Sequence, residues 1–361
     1  MCGIAGIIHR DPGREVDPRV LDRMTDVLSH RGPDDRGTWV EAGVGLGHRR
    51  LSIIDLVSGH QPMTTAGGEL WITYNGELYN YLELRAELKM QGRCFATQSD
   101  TEVLLQMYEA HGESCLTQLN GMFAFALWDR RRQRLLAARD HLGIKPFYYY
   151  ADGELFLFAS EIKSLLEHPQ LQPALDPQAL QDYLDLQYCL GDKTLFKGIR
   201  RLLPGHFLVW EGGQVRVSRY WDVDFAPQED YDEEEFVPRL AHLLEDAVRL
   251  QLRSDVPLGT HLSGGLDSSA IACLAARQLN APLQVFTGGF KEHGRYDESA
   301  YARLVAGQLG AVYHEVFPRA ADLAATFEQL VYFLDEPIAG AAVFPQYWAR
   351  TPWSRGSPWA I

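Results

Sequence analysis

The sequence predicts an α+β layered domain followed by an α/β domain built on a parallel sheet. Three observations carry this. Up to about residue 220 the 361-residue chain is dense in short β-like runs with only a few amphipathic helical stretches among them. The segment APQEDYDEEEF (226–236) is acidic and short of aliphatic residues, as a linker running into a helix start would be. Beyond it the pattern becomes strand, glycine-rich loop and helix in repetition, which marks a parallel sheet. The domains are drawn at 2–218 and 234–361.

In the first domain, strands are expected at CGIAGII, LGHRRLSIID, LWITYNGELY, MFAFALWD, RLLAARD, PFYYY, LFLFAS and HFLVWEGGQVRVSRYW. Helices are expected over Asp17–Ser29 and Thr101–His111, each behind a plausible cap, and over YNYLELRAELKMQG, closed by Gly92. In the second domain a helix over FVPRLAHLLEDAVRLQLRSD leads to strand LGTHL, loop SGGLDSS and helix AIACLAARQL. Strand LQVFTGGF, helix ESAYARLVAGQLG and strand VYHEVF follow, then the helix AATFEQLVYFL. There is neither an internal repeat nor a low-complexity tract.

The composition, 46% hydrophobic and 23% charged, is that of a globular protein. A net charge of -14 argues against nucleic acid or an anionic membrane as partner. Five scattered cysteines suit neither a disulfide scaffold nor a zinc site, and their odd number fits a reducing compartment. His9, Arg10 and Asp11 interrupt the N-terminal apolar run too early for a signal peptide, and no stretch reaches the roughly 18 apolar residues of a membrane span. The expected location is the cytoplasm. A homodimer is one assembly open to the chain.

Two constellations carry chemistry. If Met1 is removed, Cys2 presents a thiol and a free α-amine on one residue, and an amine of pKa about 7.7–8.0 is a usable base near neutrality. Further on, HRGPDD (30–35), GHRRLSIID (47–55), YNGELYNY (74–81) and QSDTEVLLQMY (98–108) supply groups suited to an amino-acid amide. Arg50 can grip an α-carboxylate through two bonds, and Glu77 and Asp100 can hold an α-ammonium. The Asn75 amide and the Gly76 N–H can serve an oxyanion. Taken singly, Asn75-Gly76 reads as a turn and Arg50 as a surface charge.

Together with Cys2 these stretches resemble the glutaminase domain of class II glutamine amidotransferases, an N-terminal-nucleophile family, over about the first 215 residues. RDHLGIKPFYY (139–149), ASEIKSLL (159–166) and LPGHFL (203–208) extend the likeness. The resemblance implies an αββα sandwich, with Cys2 as nucleophile and Asn75 with Gly76 as oxyanion donors. It also implies glutamine binding by Arg50, Leu51, Ser52, Ile53, Ile54, Asn75, Gly76, Glu77 and Asp100.

The second constellation is LSGGLDSS (262–269), between a strand and a helix, where N–H groups and the helix dipole can hold an anion. It lacks the spacing of a Walker A loop. After DVPLG it resembles the pyrophosphate loop of enzymes that adenylate a carboxylate with ATP. RYDESAYARLVAGQLG (295–310) and LDEPIA (334–339) continue that likeness. It implies ATP contacts at Leu262, Ser263, Gly264, Gly265, Asp267, Ser268 and Gly288, the backbone of Leu262 and Gly288 meeting adenine. Asp267 would help hold Mg²⁺ on the phosphates. No prosthetic group is implied.

A class II glutaminase followed by such a loop is the arrangement of glutamine-hydrolysing asparagine synthetases. Glutamine, aspartate and ATP are then the expected partners, with Mg²⁺ as part of the ATP complex. The likeness ends near residue 350. The family continues with a second acidic loop and a long helical region, whereas the present sequence closes with ARTPWSRGSPWAI. An incomplete synthetase domain is therefore expected, with about three strands where such a sheet usually has about five. The expected activity is glutamine-dependent asparagine synthesis. The alternatives are a glutaminase alone, an amidotransferase for another carboxylate, and a binding protein without catalysis.

Overall fold

Burial on both faces accounts for the unbroken apolar run near the N-terminus: all seven residues of β1 (Gly3–His9) are buried. The structure, a computed structural model, describes residues 1–226, 232–292, 297–337, 343–344 and 346–348. The middle of the acidic linker, the start of RYDESAYARLVAGQLG, the end of LDEPIA and the whole of ARTPWSRGSPWAI lie outside the described residues. The chain divides into two compact units, Met1–Asp224 and Phe225–Ile361.

The first unit holds two six-stranded antiparallel sheets. One has the order β10 (Arg200–Arg201), β8 (Tyr148–Ala151), β9 (Leu155–Ala159), β1, β3 (Val44–Arg50), β2 (Asp35–Glu41). The other has the order β12 (Gln214–Arg219), β11 (His206–Glu211), β7 (Arg134–Arg139), β6 (Gly121–Asp129), β5 (Leu70–Leu78), β4 (Met63–Thr64). Ile4, Leu46 and Phe158 of the first sheet share a core with Ala124, Leu135 and Leu208 of the second. The outer face of the first sheet packs Ala5 and Ile7 against α1 (Pro18–Asp26) and α4 (Ile162–Leu166). The outer face of the second packs Ile72 and Phe125 against α2 (Tyr81–Met90) and α3 (Asp100–His111). This is the expected αββα layering. A further helix, α5 (Pro177–Leu186), completes the unit's named helices.

Caps set the helix starts. The Asp17 side chain accepts from Arg19 N–H with Pro18 opening α1, and Ser99 does the same for Thr101 ahead of α3. Two expectations need correction. The helix drawn to Ser29 ends at Asp26, and LSIID is not strand. Arg50 Nη2 donates to the carbonyls of Ile54 (3.0 Å) and Asp55 (2.6 Å), which curls 51–55 back on the end of β3.

The second unit runs α6 (Glu233–Gln251), β13 (Gly259–His261), α7 (Leu266–Gln278), β14 (Gln284–Gly288), α8 (Ser299–Leu309), β15 (Val312–Val316) and α9 (Ala320–Leu334). Its three described strands are parallel in the order β13-β14-β15. Val285, Leu262 and Ala302 lie in its core. The helix expected from Ala270 starts earlier, at Leu266, so SGGLDSS is half loop and half first turn.

His48 sits between the sheets of the first unit with no exposure. Thr73 Oγ1 donates to Gly47 O (3.1 Å), so the His48 Nδ1–H donates to Thr73 Oγ1 (3.0 Å) and Nε2 is left a buried lone pair. Burial, helped by Arg50, lowers the imidazole to about 3. The unfolded chain binds that proton near pH 6.5 and the native one does not, so stability falls as pH drops below about 6.5 and stops falling near 3. The expected cost for this residue is about 2 kcal/mol at pH 5 relative to pH 7. Urea unfolding at the two pH values checks it, and His48→Asn should flatten the slope by one proton.

Candidate functional site

Four separate stretches of the first unit converge on one pocket. Cys2 precedes β1, Arg50 ends β3, Gly76 and Glu77 lie in β5, and Asp100 opens α3. Leu51, Ile53 and Ile54 line the same pocket. Ser52 does not line it, because its N–H is turned to Asp34 Oδ2 at 2.8 Å.

Asn75-Gly76 is not a turn. Both residues sit inside β5, opposite Ala124 and Phe123 of β6. Their polar groups follow from the pleat, which sends alternate N–H groups to opposite edges. Phe123 exchanges bonds with Asp140 on its far side, through its N–H to Asp140 Oδ2 (3.1 Å) and its carbonyl from Asp140 N–H (2.8 Å). The Gly76–Phe123 pair is therefore not hydrogen-bonded, and the Gly76 N–H points away from β6. On the same edge the N–H of Tyr74 goes to Gln61 Oε1 (2.7 Å) and that of Leu78 to Asp100 Oδ2 (3.0 Å). The Gly76 N–H lies between those two, facing the pocket. A Cβ at Gly76 would stand 2.4 Å from Met122 O, so only glycine fits. The Asn75 side chain is buried, and neither its Oδ1 nor its Nδ2 has a hydrogen-bond partner.

Cys2 Sγ accepts from Leu51 N–H at 3.4 Å. Burial pushes the thiol up, while the chain's amine, this N–H and Lys145 pull it down. Burial and the Asp100 carboxyl push Glu77 well above the usual carboxylate range, with Lys145, the amine and Arg50 opposing. Burial also raises Asp100. A substrate ammonium between these two carboxyls would supply the charge that favours their ionised forms. Arg50 is buried, not a surface charge, and its Nη2 is fixed on carbonyls while the guanidinium borders the pocket. A Cβ at Gly59 would fall 2.1 Å from that Nη2.

Sequence reasoning left out Gly59, Gln61, Tyr74, Ser99 and Thr101, which complete the lining. Gln61 carries no local signal, since its part depends on reaching across to β5. Tyr74 lies in the quoted YNGELYNY, and its hydroxyl donates to Asp100 Oδ2 at 3.1 Å.

The candidate nucleotide residues belong to the second unit. Ser263 and Ser268 hydroxyls lie 2.9 Å apart across the loop, and Gly265 N–H donates to Ser263 Oγ at 3.2 Å. No side chain caps α7 at Gly265, which leaves first-turn N–H groups for an anion, and Asp267 is exposed in that turn. Gly264 has φ +87° and packs against Ala302 N, while Gly288 ends β14. Leu262 has both backbone groups in use: its N–H donates to Phe286 O (2.9 Å) and its carbonyl accepts from Thr287 Oγ1 (2.6 Å). Among the described residues no three acidic, histidine or cysteine side chains form a metal-binding group, and no helix is long and apolar enough to cross a membrane.

Residues 1–221 match the glutamine amidotransferase domain family, and residues 239–354 match the asparagine synthase family. Asparagine synthetase [glutamine-hydrolyzing] 3 of Bacillus subtilis is 40% identical over 353 residues, covering 93% of this chain and 57% of that protein. Asparagine synthetase [glutamine-hydrolyzing] 1 of the same organism is 36% identical over 350 residues, covering 96% and 55%. A putative asparagine synthetase [glutamine-hydrolyzing] 2 of Methanocaldococcus jannaschii is 34% identical over 372 residues, covering 96% and 70%. The chain thus spans little more than half the length of the two Bacillus relatives. With both family matches in order along it, this chain belongs to the glutamine-hydrolysing asparagine synthetases.

Proposed function

We propose that the first unit hydrolyses glutamine and that the second uses ATP with Mg²⁺ to activate aspartate, so that the ammonia released becomes the amide of asparagine. The observation that carries the first half is the convergence of Cys2, Gly76, Arg50, Glu77 and Asp100 on one pocket, with Asn75 next to Gly76 in β5. With Met1 removed, the Cys2 amine takes the thiol proton, and the thiolate attacks the side-chain carbonyl of glutamine. Asn75 Nδ2 and Gly76 N–H hold the oxyanion. The amine returns its proton to the departing ammonia, and water cleaves the thioester to glutamate. Arg50 holds the α-carboxylate, and Glu77 with Asp100 the α-ammonium.

Family membership and the uncapped start of α7 support the second half. There the β-carboxylate of aspartate displaces pyrophosphate from ATP, and ammonia then displaces AMP from the acyl adenylate. Ser263, Gly264, Gly265 and Ser268 would cradle the phosphates, Asp267 the Mg²⁺, and Leu262 with Gly288 would border the adenine. Aspartate-dependent pyrophosphate release tests this half. The reading places the free thiol in a reducing, cytoplasmic setting, uses neither nucleic acid nor membrane, and leaves a homodimer open.

Arg50→Lys tests the grip on glutamine. Lysine keeps the charge and loses the planar fork, so the KM for glutamine should rise about tenfold or more. Hydrolysis of a simple amide without an α-carboxylate should change little. Equal loss on both substrates would show that Arg50 serves only to fold 51–55.

A further inference from the structure

Cys2 lies ahead of the β1–β3 ladder, whose first pair is Gly3 with Arg49. Its carbonyl is held from elsewhere: Arg31 Nε donates to Cys2 O at 2.9 Å. The same guanidinium donates through Nη1 to Glu161 Oε1 at 2.7 Å. His30 Nε2 lies 3.0 Å from that oxygen, and Lys163 Nζ donates to Glu161 Oε2 at 2.5 Å. Arg31 and Glu161 are both more than nine-tenths buried. Burial alone would raise the Glu161 carboxyl, but the His30 bond and the charges of Arg31 and Lys163 outweigh it and bring it to about 2. Glu161 is therefore a fixed anion across the neutral range.

The segment that carries Glu161 is bolted to the strand that carries the nucleophile. Ser160 N–H donates to Ile4 O at 2.9 Å, and Ile4 N–H donates to Ser160 Oγ at 3.0 Å. Glu161 does not line the pocket and is separated from Cys2 by the whole guanidinium of Arg31. An arginine side chain left unanchored samples many rotamers. Tied at Glu161, it meets the Cys2 carbonyl in one orientation. That carbonyl belongs to the peptide plane attached to the Cys2 Cα, from which both thiol and amine branch.

We propose that Glu161 is a positioning residue for the nucleophile, acting through Arg31 to fix the backbone of Cys2 at the pocket. This rests on the reading of Cys2 as the nucleophile of glutamine hydrolysis. Misplacing a reacting atom by about 1 Å can cost on the order of a hundredfold in rate. The groups that grip glutamine come from β3, β5 and α3 and do not depend on Glu161.

Steady-state kinetics of Glu161→Gln in the full chain test the proposal, beside Ser164→Ala as a structural control. Ser164 Oγ donates to Met24 O at 2.7 Å, tying α4 to α1 without touching the Arg31 pair. Glu161→Gln should lower kcat for glutamine about 10- to 100-fold with KM within about twofold. Ser164→Ala should lower the thermal midpoint and leave kcat in place. If Glu161→Gln is insoluble, Glu161→Asp keeps the charge one methylene short of Arg31 and should lower kcat in the same sense. Undiminished kcat in the Glu161 variants, or a loss confined to KM or to thermal stability, overturns the positioning role while wild-type turnover stands. A wild-type chain that does not hydrolyse glutamine overturns this proposal and the reading beneath it together.

Discussion

Cys2→Ala is expected to abolish glutamine hydrolysis, by a factor of about 10⁴ or more, while glutamine binding stays within a few-fold. The side chain removed is the pocket-lining thiol proposed as the nucleophile. Its sulfur sits against the Leu51 N–H at 3.4 Å in the pocket that Gly76 also lines, and the proposed oxyanion donors are the Gly76 N–H and the Asn75 amide. The binding groups are untouched: Arg50 stays anchored on Ile54 and Asp55, and Asp100 on Tyr74 and Leu78. Glutamate release measures the first effect and titration calorimetry with glutamine the second. A residue fused ahead of Cys2 should be nearly as harmful, because it turns the basic amine into an amide. Turnover by the alanine variant comparable to wild type would remove the N-terminal-nucleophile mechanism.

How much of this could be read beforehand depends on the range of the signal. GIAGIIH is apolar at every position because β1 is covered on both faces, and a run of seven residues is a local pattern. Asp17-Pro18 and Ser99-Asp100 announce helix starts for the same local reason. The pocket was visible only because its residues fall in recognisable motifs. Nothing in the spacing of positions 2, 50, 76 and 100 says that they meet. What stayed hidden is set by pairing. Asn75-Gly76 has the chemistry of a turn, yet β6 holds it as strand and leaves its other edge open beyond β4. LSIID has the composition of a strand, yet the side chain of Arg50 bends it back through two backbone carbonyls. Glu161 meets Arg31 across 130 residues, a distance over which no periodicity carries information.

Asn75→Ala should separate activity from stability. Loss of one oxyanion donor typically costs about 2.7–4 kcal/mol of transition-state stabilisation, or about 10²–10³ in kcat. The KM for glutamine should change little, because the ground-state carbonyl gains less from that donor than the oxyanion does. In the folded chain the Asn75 amide is buried with both polar atoms unpartnered, an arrangement that costs about 1–3 kcal/mol. Removing it replaces an unsatisfied polar group by a methyl on the inter-sheet side of β5, where Ala124 already sits opposite. The variant should therefore unfold at the same temperature as wild type or a higher one, even as it loses two to three decades of rate. A residue kept only for packing would behave in the opposite way, with a lower thermal midpoint and near-normal kcat. That pair of measurements, made on one protein sample, decides between the two roles, and a destabilised but active Asn75→Ala would take Asn75 out of the oxyanion site.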